Sequence, residues 1–236
     1  LCIQGEAKIF QMDHTTSLSD VVVGNKAKGI ETIEDLKGKT VAVSSGTSSE
    51  IILEQALARA GMTMDDINTV EMTVDGMTTM ISGQIDAAAS WSPNTVTLQN
   101  ALGDNYVDLG TNADFLDSAI FPSSYICTPE YAEANHDILV RFAQALDKAH
   151  DWRAAHPEEM AKELDAPEDT MLAAVGEADW QTITEVCGDM DAIKTVYETQ
   201  QGIFLDNGTI TENVPVEDYV LFDVMQEAYD AYSAAK

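Results

Sequence analysis

The stretch Thr40-Val-Ala-Val-Ser-Ser-Gly-Thr-Ser-Ser-Glu50, with Ile51–Ala60 behind it, decides the fold class. Val41–Ser44 reads as a short buried strand. A loop of Ser, Gly and Thr follows, free of bulky side chains. Thr47-x-x-Glu50 matches a capping box: the Thr hydroxyl takes one free amide of the first turn, and the Glu reaches back to the Thr amide. Leu53, Ala56, Leu57 and Ala60 then recur at helical spacing. Strand, small polar loop and capped helix make the first half of a βαβ unit. The loop lies at the carboxyl end of its strand, where open α/β sheets bind ligands. Free amides and a positive helix end attract an anion there. Ordinary punctuation is the competing reading, since every βα loop needs small polar residues and a cap. Glu50 favours it, because its charge already sits at the positive end.

Outward from this unit the pattern repeats. Upstream, Lys8–Met12 reads as a strand, Asp13–Ser19 as a polar loop and Val21–Val23 as a second apolar run. Thr32-x-x-Asp35 caps one turn that Gly38 ends. Downstream, Gly61 stops the helix, Thr63-x-x-Asp66 starts a turn and Thr69–Met72 is a strand. Asp75 caps a helix over Gly76–Ser82, and Ile85–Ala89 is a strand of small residues running into Ser90-Trp-Ser-Pro-Asn94. Two strand–helix–strand passages in this span predict a parallel sheet with helices on its faces. Tyr106–Leu109 and Phe121–Cys127 are further strands, and Thr128-Pro129 opens a helix as cap and first position.

Beyond Cys127 the chain reads as helical. Ile138, Leu139, Phe142, Leu146 and Ala149 mark one apolar face, continuing to Trp152 and broken at Pro157. Helices are expected near 157–164, 167–177, 190–205 and 217–235, with a turn at Asn207-Gly208. Trp152 and Trp180 read as packing residues of this half.

Composition narrows the function. The 236 residues suffice for two small domains or one large one, and 45% are hydrophobic. A net charge of −29 argues against nucleic acid and against anionic membranes. Cys2, Cys127 and Cys187 form no C-x-x-C pair, and His14, His136, His150 and His156 show no ligand spacing. There is no G-x-S-x-G, P-loop or G-x-G-x-x-G. No catalytic residue, metal site or cofactor site is expected.

Gly29-Ile-Glu-Thr-Ile-Glu-Asp-Leu-Lys-Gly-Lys-Thr-Val-Ala-Val-Ser-Ser-Gly-Thr47 and Met80-Ile-Ser-Gly-Gln-Ile-Asp-Ala-Ala-Ala-Ser-Trp-Ser-Pro93 resemble segments of the extracytoplasmic solute-binding proteins of ABC importers. The resemblance is to the branch for alkylsulfonates, taurine, nitrate and thiamine-pyrimidine precursors. It covers about residues 24–150 well and the helical remainder in outline. It implies an α/β, type II periplasmic-binding-protein-like fold: two α/β lobes joined by two crossing strands, near Leu18–Gly24 outward and Phe121–Cys127 back. The second lobe would be 22–122 and the first 1–21 plus 123–236. It implies no cofactor, an ABC permease as membrane partner, and a periplasmic or lipoprotein-anchored location. Ser45, Gly46, Thr47 and Ser48 would meet the ligand's polar head, and Trp91, with Ser92 and Asn94, would close over the ligand. A core aromatic is the competing reading of Trp91. Asp13, His14 and Thr15 fall where the first lobe would face the cleft, unless Asp13 and His14 simply make a loop hydrogen bond. Two other functions stay open on this fold. One is an enzyme of the pyrimidine-synthesising kind, which would want a cofactor lysine or reactive cysteine at the cleft. The other is the effector-sensing half of a regulator.

Family members open with a first-lobe segment that has no counterpart here, and Leu1-Cys-Ile-Gln-Gly5 reads as the tail of an element already under way. The expectation is a carboxyl-terminal part of a longer protein, with a first lobe short of strands beneath apolar helix faces such as Phe142 with Leu146. Such faces would make the chain less stable than a full two-lobe protein, prone to self-associate, and a weak binder of ligand or none. A monodisperse, sharply melting monomer in light scattering and thermal denaturation would contradict that expectation.

Overall fold

The computed structural model describes residues 1–14, 20–72, 79–115, 122–163, 172, 175, 180–206 and 208–236. They fall into two bodies. One comprises Ser17–Asp117 and Ala161–Ala178, the other Leu1–Thr16, Ser118–Met160 and Asp179–Lys236.

The first of these bodies is built on a five-stranded sheet. Its strands are β2 (Asp20–Asn25), β3 (Thr40–Val43), β4 (Asn68–Glu71), β5 (Ala87–Trp91) and β6 (Tyr106–Thr111), in the order β4-β3-β5-β2-β6. β3 is parallel to both β4 and β5, as the repeated strand–helix pattern predicts. β2 is antiparallel to β5 and β6. All six of its residues are buried, which is why Val21-Val-Val23 is a continuous apolar run. The outward crossing strand expected at Leu18–Gly24 is thus a central strand of this sheet. Leu18 and Ser19 lie outside the described residues, as do Asp75 and the start of the helix expected at Gly76–Ser82.

Helices cover both faces. Helix α1 (Ser48–Arg59) buries Ile52, Leu53, Ala56 and Leu57. Helix α2 (Asn94–Leu102) packs Leu98 and Leu102 against Val21, Val23, Ala42 and Ala88. Side chains alternate along a strand, so Val22, Val41 and Ala89 face the opposite side. α1, which packs on β2 and β5 and shares no residue with the α2 cluster, takes that side. The edge strand β4 is four residues long and exposed throughout. At the other edge the β2–β6 register slips between Val22 and Val23, where Gly110 and then Asp108 are the partners, a bulge at Leu109.

In the other body, β1 (Lys8–His14) pairs antiparallel with β7 (Ser123–Cys127). Ile9 also exchanges backbone hydrogen bonds with the Tyr219–Leu221 segment. These two strands are its sheet among the described residues. Helices α3 (Pro129–Ala134), α4 (His136–Ala155), α5 (Pro157–Glu163), α6 (Ile183–Cys187), α7 (Met190–Asp206) and α8 (Phe222–Ala234) follow β7, α5 spanning the division between the bodies. Thr128 caps α3 through a hydrogen bond from the Tyr131 amide, and Pro129 opens it. The helix expected near 167–177 lies almost wholly outside the described residues, and so does Asn207.

The buried face of α4 follows the expected apolar one only in part: Leu139 is buried and Leu146 packs against the same cluster. Leu139, Val140, Ala143, Asp147 and His150 are buried. Ile138 and Phe142 are 42% and 51% exposed, and Ala149 is exposed. The reason is polar: β1 presents Gln11 and Asp13, and the helix turns to meet them. Gln11 Nε2 donates to Asp147 Oδ1 at 2.6 Å, and His150 Nε2 lies 2.9 Å from Asp13 Oδ1. Phe142 keeps a stacked contact with Phe10 at 5.8 Å. Trp152 is 42% exposed and stacks on His156, so it is not the packing residue expected.

Two predictions follow from this packing. A Cβ on Gly24 would lie 2.9 Å from the Ile30 carbonyl oxygen, a backbone atom that cannot swing away. Gly24→Ala should cost about 1–3 kcal/mol, read by urea unfolding. Asp147 is fully buried, and burial together with the neighbouring Asp151 charge pushes its carboxyl up to about 7. The folded value lies above the unfolded value of about 3.9, so the native state keeps a proton that the unfolded chain releases. Stability therefore falls as pH rises from about 4 to about 7 and levels off above that. Asp147→Asn keeps an acceptor for Gln11 without the charge. It should raise stability by about 1–2 kcal/mol at pH 8 and give no gain at pH 4, measured against wild type by urea unfolding.

Candidate functional site

The winding of the five-stranded sheet reverses between β3 and β5. From β3 the chain passes through α1 to β4 on one side, and from β5 it passes through α2 to β6 on the other. Where neighbouring parallel strands send their connections opposite ways, a crevice opens at their carboxyl ends. The 44–47 loop and the 91–94 loop flank that place, so Ser45, Gly46, Thr47, Ser48, Trp91, Ser92 and Asn94 come from adjoining strand ends.

On the β3 side the loop donors are already in use. Ser45 Oγ donates to Glu50 Oε1 at 3.1 Å, and the Gly46 amide to Glu50 Oε2 at 2.6 Å. Thr47 Oγ1 donates to the Ser44 carbonyl at 2.7 Å. Ser48 Oγ donates to Asp20 Oδ1 at 2.7 Å. The capping box expected at Thr47-x-x-Glu50 is not formed. Thr47 is the N-cap, but its hydroxyl turns back to Ser44, and Glu50 reaches Gly46 rather than Thr47. Gly46 supplies the positive φ of +76° that this tight fold-back needs. A capping box does form at Thr182 and Glu185, opening the α6 turn that apolar periodicity did not mark.

On the β5 side the situation is the reverse. Trp91 ends the strand half-buried and lies outside the apolar cluster beneath α2. Pro93 is the N-cap of α2, no side chain caps its amides, and its first turn holds no acidic residue. Ser90 and Thr95 are 0% and 2% exposed, and the hydroxyls of Ser90, Ser92 and Thr95 are buried without a hydrogen-bond partner among the described residues.

Asp20, at the start of β2, pairs with Trp91 across the sheet. Besides Ser48 it engages Asn112, whose Nδ2 donates to Asp20 Oδ2 at 2.8 Å while its Oδ1 accepts from the Asp20 amide at 2.8 Å. Burial pushes the Asp20 carboxyl up, and the bonds from Asn112 and Ser48 partly offset this. Nothing in the sequence flagged Asp20, Asn112, Ser90 or Thr95. Asn112 lies 92 positions from its partner, and an unpaired hydroxyl leaves no pattern.

His14 stands in the other body, at the end of β1, and Thr15 lies outside the described residues. Asp13 Oδ2 and His14 Nδ1 are 2.7 Å apart, so the local hydrogen bond is present. Asp13 Oδ1 also accepts from Arg153 at 2.8 Å and faces His150 and Tyr125. Burial works against its charge. The hydrogen bonds from His14 and His150, with the Arg153 guanidinium, hold its carboxyl well below the usual range. The Arg153 guanidinium lies 5.1 Å over the Trp180 ring, which gives Trp180 a role on the surface of α4.

Among the described residues no three His, Cys, Asp or Glu side chains are grouped to hold a metal ion, and no helix is long and apolar enough to cross a membrane. Burial pushes the thiols of Cys2 and Cys127 up and that of Cys187 up to about 12, so none is poised as a thiolate.

Comparison with known proteins agrees with this architecture. A Brucella abortus (strain 2308) protein, named only as a binding protein, is 34% identical over 156 residues. The match takes in 66% of this chain and 48% of that protein, so the chain spans about half the length of that relative. The periplasmic aliphatic sulphonate binding protein SsuA from Escherichia coli superposes with a TM-score of 0.70 at 21% identity, over 95% of this chain and 76% of that one. The desulfurization enzyme DSZB does so with a TM-score of 0.70 at 16% identity, over 97% and 80%. The fold is therefore the mixed α/β fold of periplasmic binding proteins, as its sequence resemblance implied. The family described as "NMT1/THI5 like" matches residues 12–160, well over half of the chain, and the protein belongs to that family.

Proposed function

We propose that this chain is the solute-binding component of an ABC import system. It captures a small molecule at the crevice where β3 and β5 end and delivers it to a membrane permease from the extracytoplasmic side. The carrying observation is the switch point itself: two loops of small polar residues and a half-buried tryptophan at adjoining strand ends. Trp91 supplies a flat apolar surface, and Ser92 and Asn94 supply polar contacts beside it. Ser45–Ser48 form the facing wall. The Escherichia coli protein named for aliphatic sulphonate binding favours a small sulfonate or a related anion as ligand, carried by hydrogen bonds rather than by a cluster of cations.

An enzyme on the same fold is the rival reading, since DSZB shares it. Cysteine chemistry would need a thiolate, and all three thiols are shifted the other way. Binding without turnover is therefore the better supported function.

Titration of intrinsic tryptophan fluorescence with ethanesulfonate, taurine, nitrate and an aminopyrimidine tests the reading. At least one should bind with a dissociation constant below about 1 mM, and none should be consumed. Trp91→Ala should weaken that binding by about 1–3 kcal/mol and leave the melting temperature nearly unchanged. A large fall in melting temperature with unaltered affinity would make Trp91 a core residue.

A further inference from the structure

The two walls of the proposed crevice differ in a way that no sequence motif shows. On the β3 side, every side-chain donor of Ser45, Thr47 and Ser48 is spent within the chain. Two of the acceptors there are carboxylates, Glu50 and Asp20, and Glu50 also takes the Gly46 amide. An anion arriving at this wall meets two negative charges and finds the loop donors occupied.

On the β5 side, three buried hydroxyls have no partner among the described residues. A buried unpaired hydroxyl costs about 1–3 kcal/mol, so a group of three in six residues calls for a partner. Their placement is specific. Ser90 shares a strand face with Ala88, the face that α2 covers. Ser92 sits in the turn, and Thr95 stands in the first turn of α2. That helix is nine residues long, ends its amides on Pro93 without a side-chain cap, and has no acid in its first turn. Its positive end carries no side-chain cap among the described residues, while that of α1 is countered by Glu50.

We infer that the anionic head of the solute binds at the amino end of α2, held by the hydroxyls of Ser90, Ser92 and Thr95, and not at the Ser45–Ser48 loop. This rests on the solute-binding reading above and narrows it. The head is a small oxyanion, sulfonate or nitrate in class, because hydroxyl and helix-amide donors suit a monoanion. The carboxylates of Glu50 and Asp20 lie on the α1 side of the crevice, the side on which Trp91 projects, and they keep a second anionic group out. A monosulfonate fits this distribution, and a disulfonate does not.

Calorimetry on the full 236-residue chain tests the assignment, with ethanesulfonate, nitrate and ethane-1,2-disulfonate as anions and choline and a neutral aminopyrimidine as controls. Ethanesulfonate or nitrate should bind, and the disulfonate should bind at least tenfold more weakly. Thr95→Val and Ser90→Ala should each weaken anion binding at least tenfold without lowering the melting temperature, since each removes an unpaired buried group. Thr95→Ser, which keeps the hydroxyl, should restore binding. Glu50→Gln should leave anion affinity equal or raise it. Anion affinity unchanged by Thr95→Val and Ser90→Ala would mean that water alone fills the hydroxyl group and would overturn the assignment. Binding of choline or the aminopyrimidine without any anion would overturn it too, while leaving the solute-binding reading intact. Binding of no probe at all would overturn both.

Discussion

Asp20 is a carboxylate with 4% of its surface open to water, and it is held by two donors from distant parts of the chain. Ser48 brings the amino end of α1 to it, and Asn112 brings the segment after β6. A buried charge is tolerated only when it is hydrogen-bonded, so these contacts are required as much as they are favourable. They fix where α1 begins relative to β2, and β2 in turn fixes Trp91 through the β2–β5 register. The crevice between β3 and β5 keeps its shape because one carboxylate joins its walls. Loss of either donor would leave an acceptor of that carboxylate unpaired in a dry place, which is more costly than loss of the same bond at the surface.

The sheet was legible in the sequence because its signals are local. Val41–Val43, Ala87–Ala89 and Tyr106–Leu109 each combine a short apolar run with turn residues at both ends, and each is a strand. Helix faces were less legible. Leu53, Ala56 and Leu57 are buried on α1 as their spacing predicts, but on α4 Asp147 and His150 displace Phe142 and Ala149 from the buried side. Apolar periodicity assumes an apolar partner, and β1 offers Gln11 and Asp13 instead. The cap at Thr47 failed for a related reason. Thr-x-x-Glu states which bonds are possible, and the Ser44 carbonyl and Gly46 amide lay closer to hand. The same four-residue signal at Thr182 did close, where Glu185 met the Thr182 amide.

The candidate site divides along the same line. Its position at two strand ends followed from the order of strands and loops. Its polarity did not, because that depends on which donors have been used up, and the partners are far apart in sequence. A Ser-Gly-Thr-Ser loop looks receptive when read as letters. With Glu50 folded across it, the loop is a closed set of hydrogen bonds. The less conspicuous Ser90-Trp-Ser-Pro-Asn-Thr95 turn holds the free capacity. The net charge of −29 bears on this as well. A strongly negative surface slows the approach of a small anion, and slows it less as salt rises. Retention of the proposed anion therefore rests on short-range donors.

The edges of the five-stranded sheet carry a further consequence. A strand with bare amides and carbonyls along one side is a template on which another molecule's strand can grow. β4 limits that growth by being only four residues long and ending on the charged Glu71. β6 limits it by the bulge at Leu109 and by Asp108 beside it, which break the even spacing a new partner would need. Such blunted margins suit a sheet that is to stay confined to one molecule. They keep the sheet of one molecule from being continued by that of another.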